Sequence, residues 1–341
     1  MKSFHRTIVF TKTPLKSYFR YKDLFQIYPA DFENMPKSRF QKHHPIVLEY
    51  LTDESEERNV PSDFEGLRDI YLLLATTLTL EDKILNLLSV ISNNLFFRYY
   101  DLTGAWGIPI LEDNPGKKAN LWASKWNMAL FHWPELPKQL IIENFTIRNE
   151  PEIEYKNHFD YYFKEPSFDL YSNSTITFPD SIHKVLDSYF SKTIELQSIL
   201  DTALSFSVSA VELMQHKKTL SILASFTSIE TMVNLEFQDF KPEQCEACGQ
   251  LKYKVHQKYL DYFLKYIGSS NHNKQKFSAY YKLRSKIVHT GQRLKTENIY
   301  SEFTKDEEEK EFLNQVEILQ LGKMAIVQWL LRNDNQNMER K

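Results

Sequence analysis

Cysteine, glycine and long apolar runs are scarce in this sequence, and each shortage excludes a class of protein. Only 2 of the 341 residues are cysteine, too few for the disulfide framework of a small secreted scaffold. The 8 glycines and 13 prolines do not suggest a low-complexity chain. The apolar runs, such as IYLLLATTL at 70–78, are far shorter than the roughly 20 residues that span a bilayer. We therefore expect a cytoplasmic protein with no membrane segment and no secretion signal.

A strong excess of one charge sign is also missing from the chain as a whole. The formal net charge is −3 at pH 7, so no overall basic field indicates nucleic-acid binding. The hydrophobic content of 42% is enough for one large core or two ordinary ones. A charge signal that points to a partner must therefore be local.

The chain divides into two regions of different pattern, with a boundary near Phe178 and Pro179. The first region, residues 1–178, predicts an α+β arrangement, in which β-branched runs bounded by polar or proline-containing turns indicate strands. The predicted strands cover residues 6–11, 44–51 and 139–147. A helix is predicted over about 80–94, with Thr79 as its N-cap.

The second region, residues 179–341, is predicted to be almost wholly helical. Apolar residues recur at the i, i+3, i+4 and i+7 spacing of a helix that buries one face. Five helices are predicted, over 181–204, about 216–237, about 251–267, about 273–289, and from a capping box at Thr304 and Glu307 onward. Short connections between them predict a bundle, so the fold class is mainly α.

Residues 251–286 carry a local excess of positive charge. Eight lysines and one arginine stand against a single acid, Asp261, and six tyrosines are interleaved with them. Binding of a flexible RNA strand requires cations that contact the phosphates and aromatic rings on which the unstacked bases can stack. The alternative interpretation is a solvated helix face whose tyrosines belong partly to the core.

The stretch YYKLRSKIVHTG, residues 280–291, places Arg284 and His289 five residues apart. The spacing alone is weak evidence, because an ordinary helix end also explains it. Gly291 would supply a left-handed C-cap, and a basic residue in the last turn suits the helix dipole. Both interpretations remain open on these residues alone.

The segment LRSKIVHTG resembles the R-x4-6-H signature of HEPN domains, and the pattern around it is similar to the Apea-like HEPN branch of bacterial defence proteins. The resemblance begins at SFTSIETMVNLEF, residues 225–237, and continues to the terminal helix. The order of segments that carries the resemblance spans about 45% of the chain, essentially the second region, and nothing in the first region takes part. It implies a HEPN-like helical bundle that dimerises and forms one composite ribonuclease site without a metal.

The resemblance also implies roles for individual residues. Arg284 would stabilise charge on the scissile phosphate, and His289 would act as general acid or base. Ser285 stands where many family members have Asn, and Glu230 is similar in place to an acidic residue on an earlier HEPN helix. Glu230 would orient Arg284 or His289, or lie at the core boundary. The residues predicted to bind RNA are Lys282, Lys286, Tyr281 and Tyr280.

Cys245 and Cys248 form a Cys-x-x-Cys-Gly segment, which is one half of a zinc knuckle. Two further ligands are needed for a closed structural zinc site. His256 and His272 could supply them, as could the same cysteine pair of a second subunit. The alternatives are a redox pair and two reduced, partly buried thiols. No cofactor is expected for catalysis.

The resemblance implies an endoribonuclease of antiviral, anti-phage defence that acts by abortive infection and cleaves host or viral RNA. Because an unrestrained ribonuclease would harm its own cell, residues 1–178 are expected to sense a phage-derived trigger or to restrain the site. The alternatives are a non-catalytic HEPN-like module that binds RNA or a nucleotide, and a purely structural helical dimer.

Overall fold

The computed structural model describes residues 2–35, 43–53, 68–98, 135–164, 175–244, 251–297 and 302–333, with the backbone alone at 53, 68–79 and 251–252. The chain forms two compact units: residues 1–161 with 167–180, and residues 162–166 with 181–341. The protein is mainly α with an α+β region at its N-terminus, which confirms the predicted fold class.

The first unit contains a four-stranded antiparallel sheet in the order β1-β4-β3-β2. The strands are β1 (Lys2–Thr11), β2 (Phe19–Tyr21), β3 (Phe25–Pro29) and β4 (His44–Asp53). β1 and β4 pair along their whole length. Ile46, Val47 and Leu48 are consecutive and fully buried, so both faces of β4 are covered at this point. The predicted strands at 6–11 and 44–51 are confirmed.

Among the described residues of the first unit, the other elements are short, apart from one long helix. They are α1 (Arg68–Ile91), α2 (Leu136–Gln139) and a two-residue parallel pair of β5 (Tyr155–Lys156) and β6 (Phe178–Pro179). A π-helical turn, Asp160–Lys164, begins in this unit and ends in the next. Thr79 lies inside α1, so its predicted role as an N-cap is wrong. No Gly or Pro interrupts residues 68–91, and the helix therefore extends through the apolar run before Thr79.

The predicted strand at 139–147 is also wrong, because residues 140–147 are irregular. Ile141 and Ile147 are 77% and 91% exposed, so these two residues do not face a core as they would in the predicted strand. The segment is instead fixed by Thr146, whose backbone N–H and hydroxyl both donate to the carboxylate of Glu49 in β4. Hydrogen bonds to the Glu49 side chain, and not backbone pairing with a neighbouring strand, therefore hold this segment in place.

Glu49 is fully buried and accepts five hydrogen bonds. Its Oε1 accepts from Arg6, Tyr28 and the Thr146 hydroxyl, and its Oε2 accepts from Gln26 and the Thr146 N–H. Burial alone would raise the pKa of Glu49, but the hydrogen bonds from Thr146, Tyr28 and Arg6 outweigh it and hold the pKa below its ordinary value. The contribution of this carboxylate to stability is therefore present above its ordinary pKa and is lost as the pH falls through the lowered one.

In the residues that the structure describes, the second unit is a bundle of six helices. They are α3 (Ile182–Phe190), α4 (Ile194–Leu213), α5 (Lys218–Glu236), α6 (Val255–Tyr266), α7 (Asn271–Thr290) and α8 (Lys305–Arg332). A short antiparallel pair, β7 (Glu243–Gln244) with β8 (Leu251–Lys252), precedes α6. A 3-10 turn, Lys295–Glu297, precedes α8. In the described part of the chain, no helix has the length and apolar character needed to cross a bilayer.

The single helix predicted over 181–204 is wrong, because α3 and α4 are separate. Helix α3 ends at Phe190, and Thr193 then takes an extended conformation as the N-cap of α4, where its side chain accepts from the Leu196 N–H. A threonine hydroxyl satisfies one of the free amides at a new helix start. The capping box predicted at Thr304 and Glu307 is confirmed at the start of α8.

Helix α5 packs against α4, α6, α7 and α8. The predicted stripe at Ile222, Phe226, Ile229 and Val233 is buried in this packing. Two buried serines tie α5 to α4, because Ser221 donates to the carbonyl of Ala210 and Ser228 to that of Ala203, both at 2.6 Å. Such short polar side chains let two helix backbones approach closely while every buried hydroxyl keeps a partner.

Lys323 lies in α8 with its side chain buried. Burial lowers the pKa of Lys323 to about 7 from its ordinary value of 10.5. At a pH between about 7 and 10.5, Lys323 is protonated in the unfolded chain and largely neutral in the folded chain, so the unfolded chain binds more protons at this residue. The contribution of Lys323 to stability therefore grows as the pH rises through that window.

We predict that Glu49→Gln destabilises the first unit by about 3 kcal/mol, since the neutral amide leaves Arg6 without its buried counter-charge and donates where it must accept. Hydrogen exchange of the β1 and β4 amides at pH 7 measures the loss in this unit alone. The matched control is Glu154→Gln, an exposed carboxylate of the same unit, which should leave exchange unchanged. Equal protection in the two variants would contradict the role given to Glu49.

We also predict that Lys323→Met removes a pH dependence. From pH 7 to 9 the wild-type free energy of unfolding should gain up to about 1.4 kcal/mol per pH unit from this residue, and the variant should lack that gain. Urea denaturation at the two pH values measures both proteins. Parallel pH profiles would show that Lys323 stays charged in the folded protein.

Candidate functional site

Helix α7 carries the Arg284 and His289 pair, and both of its ends are capped. The Ser270 side chain accepts from the Asn273 N–H at the start. Gly291 takes the left-handed conformation, with φ +65°, and donates its N–H to the Ile287 carbonyl at the end. The predicted glycine C-cap is therefore present, with His289 in the last turn.

Arg284 is held by a two-point contact with Glu230 of α5. Its Nη2 donates to Glu230 Oε2 at 2.8 Å, and its Nε lies 2.7 Å from Oε1. The two side chains are 21% and 27% exposed. Of the two partners considered for Glu230, the structure pairs it with Arg284. One hydrogen bond and one close ion-pair contact hold the planar guanidinium in orientation, which a lysine could not reproduce.

His289 lies on a different side of the same helix. Five residues of α-helix correspond to a rotation of about 140° and a rise of about 7.5 Å, so one helix directs the two side chains apart. His289 is exposed, and among the described residues its imidazole has no hydrogen bond or ion pair. Lys282 and Lys286 precede it by seven and three residues, share its side of α7 and are exposed, while Ser285 is half-buried.

Tyr281 joins Arg284 to a second histidine that sequence analysis considered only as a zinc ligand. Its ring lies 4.8 Å from the His256 ring and 5.1 Å from the Tyr259 ring, and the Arg284 guanidinium carbon lies 6.0 Å from its centroid. Burial raises the pKa of Tyr281, with Arg284 opposing and Glu230 adding to the shift. His256 comes from α6, so only the packing of α6 on α7 brings it here.

The predicted basic, aromatic surface is smaller than expected. Four of its six tyrosines belong to the core: Tyr259, Tyr262, Tyr266 and Tyr280. Tyr280 is 7% exposed and donates its hydroxyl to Glu317, so its position does not support the predicted role in RNA binding. Three lysines are paired with acids: Lys254 with Glu243, Lys265 with Glu236 and Lys276 with Glu317. The exposed cations that remain on α7 include Lys274, Lys282 and Lys286.

Two cavities border the C-terminal turn of α7. One, of about 340 Å³, has an apolar floor that includes Ile222, Leu283 and Leu294. The other, of about 770 Å³, lies between the start of α5 and the residues around Gly291. Arg293 lines both of them. The end of α7 that carries His289 therefore adjoins open space on the bundle.

The zinc prediction for Cys245 and Cys248 falls outside the described residues. Within the ranges that the structure describes, no group of three or more His, Cys, Asp or Glu side chains is placed to hold a metal. His256 contacts Tyr281, whereas His272 lies in the first turn of α7. Structural zinc stays a prediction.

Comparison of the chain with models of protein families, with curated proteins and with solved structures gives no match. The HEPN assignment therefore stays a prediction that depends on the motif and on the geometry of Arg284, His289 and Glu230.

We predict a coupling energy of about 1 kcal/mol between Arg284 and Glu230, because the pair combines a hydrogen bond with a second ion-pair contact and is only partly exposed. A double-mutant cycle with Arg284→Ala and Glu230→Ala, measured by urea denaturation, gives this value. The more exposed Lys254 and Glu243 pair is the control and should couple more weakly. Coupling no larger than that of the control would show that Glu230 does not fix the guanidinium.

Proposed function

We propose that this protein is a metal-independent endoribonuclease of the HEPN type that acts in anti-phage defence in the cytoplasm. The observation that carries the proposal is the contrast between the two motif residues. Arg284 is oriented by Glu230, whereas His289 is exposed at the end of the same helix. A positioned guanidinium and an accessible imidazole are the two groups that RNA cleavage without a metal requires.

The proposed reaction is an internal transesterification. The 2′-hydroxyl attacks phosphorus, the bond from phosphorus to the 5′-oxygen breaks, and the products are a 2′,3′-cyclic phosphate and a 5′-hydroxyl. A histidine side chain exchanges protons near neutral pH, so one imidazole can take the 2′ proton and another can give a proton to the 5′-oxygen. Arg284 stabilises charge on the phosphate.

A second copy of the chain would complete the site. Because Arg284 and His289 point about 140° apart on one helix, a single phosphate meets both groups more easily when two α7 helices face each other. Val288 follows Arg284 by four residues on the same side of α7 and is 47% exposed. Leu220, near the start of α5, is 49% exposed. These apolar side chains would lose water at such a homodimer contact.

The second candidate is a non-catalytic module that binds RNA or a nucleotide. The observation in its favour is that Glu230 already occupies two of the three guanidinium nitrogens of Arg284. Ser285, which is half-buried and stands where many HEPN domains have Asn, also favours a non-catalytic module. The first candidate is preferred because Nη1 of Arg284 has no partner among the described residues and is still able to donate to a phosphate.

We predict that Arg284→Ala and His289→Ala each slow cleavage of a defined single-stranded RNA by at least about 100-fold. Gel analysis measures the rate. The cyclic product is identified if the 5′ fragment resists 3′ labelling after phosphatase treatment alone and accepts it once acid has opened the ring before phosphatase treatment. Cleavage by the wild type should persist in EDTA. The control is His272→Ala, an exposed histidine on the same helix.

The same variants would be compared in a bacterial host, with and without phage. Arrest or phage resistance that needs both motif residues, and appears only after infection, would support a phage-derived trigger sensed through residues 1–178. Folded variants that match the wild type in both assays would refute the nuclease proposal. RNA that is bound but left intact by the wild type would favour the binding module.

A further inference from the structure

We propose that the cavity of about 770 Å³ beside the end of α7 is a subsite for a phosphate group of single-stranded RNA. Its ligand contacts would be Lys217, Lys218 and Arg293, with His216 at its border. The identity of the ligand rests on the proposed function, whereas the preference for a phosphate follows from the charges of the cavity itself.

The cavity is formed where three segments of the second unit meet. The turn between α4 and α5 contributes His216 and Lys217, and the first turn of α5 contributes Lys218. The chain just after α7 contributes Gly291 and Arg293. These segments are distant in sequence, so the basic cluster exists only in the folded bundle.

The cations of this cavity differ in their partners from three of the lysines in residues 251–286. Lys217 and Arg293 are exposed and have no ion pair among the described residues. Lys218 donates to the neutral hydroxyl of Thr296 at 3.2 Å. By contrast, Lys254, Lys265 and Lys276 each have a carboxylate partner. Positive charge in the cavity is therefore available to an external anion.

One carboxylate, Glu297, also lines the cavity, and it is already engaged. Its Oε2 accepts from the Thr219 N–H at 2.8 Å and from the Thr219 hydroxyl. It occupies the free amide at the start of α5 and does not pair with Lys217 or Arg293. Three permanent cations face this single acid, so the net field favours an anion.

The position of the cavity connects it to the proposed cleavage site. Ile287 and Gly291, which line it, lie two residues before and after His289. Two residues of helix rise only about 3 Å, so the cavity and the imidazole share the last turn of α7. A strand cleaved at His289 would therefore place a neighbouring phosphate at Arg293, whose guanidinium can bind phosphate oxygens in a bidentate fashion.

The test is the salt dependence of RNA binding by the full chain. The protein carries His289→Ala so that the RNA stays intact, and a fluorescent 12-nucleotide single-stranded RNA is the probe in an anisotropy titration. Lys217→Ala with Arg293→Ala should reduce the magnitude of the slope of log K against log salt by about 0.7, the value for one lost phosphate contact on a single strand. The control pair is Lys184→Ala with Lys305→Ala, two exposed lysines outside the cavity.

An unchanged slope in the cavity variant, with its melting temperature preserved, would overturn the proposal. A second titration uses inorganic pyrophosphate as the probe in place of RNA. If the protein binds pyrophosphate through Lys217 and Arg293 but does not bind RNA, then RNA is wrong as the ligand.

Cleavage is measured separately in chains that retain His289. A lowered slope without cleavage would support the subsite and refute the nuclease. Cleavage with an unchanged slope would refute the subsite alone.

Discussion

The burial of α5 on most of its surface is the constraint on which the second unit depends. The helix contacts α4, α6, α7 and α8, and its apolar stripe and its serines are buried together. An acid on such a helix needs a partner, because an unpaired carboxylate at a core boundary loses hydration without compensation. Glu230 finds that partner in Arg284. The same packing that builds the core therefore also orients the guanidinium.

One carboxylate in each unit is satisfied by several partners, which distinguishes groups that stabilise the fold from groups that are free to bind a ligand. Glu49 accepts five hydrogen bonds, and Glu236 accepts from Lys265, Tyr266 and Trp329. Groups of this kind stabilise the fold and have little capacity left for a ligand. His289, Lys217 and Arg293 are different, since each is exposed and has no acid partner in the described residues.

The candidate site then combines one fixed group with several accessible ones. Arg284 keeps its orientation through a contact that costs no rearrangement when a phosphate arrives, which is what electrostatic preorganisation requires. His289 and the cations of the neighbouring cavity are open to a strand that approaches the end of α7. The proposed RNA contacts therefore include cations from the start of α5 and from the chain after α7.

The local sequence by itself determined the mainly α class, β1 and β4, the stripe of α5, the capping box at Thr304, the Gly291 cap, and the spacing of Arg284 and His289. These features depend on residues within a few positions of one another, where periodicity and capping act directly. Other features depend on partners far along the chain. Thr146 bonds Glu49 across 97 residues, and Arg284 meets Glu230 across 54. Tertiary structure alone placed Tyr280 in the core, because a tyrosine suits a core and a wet surface equally well until its neighbours are known.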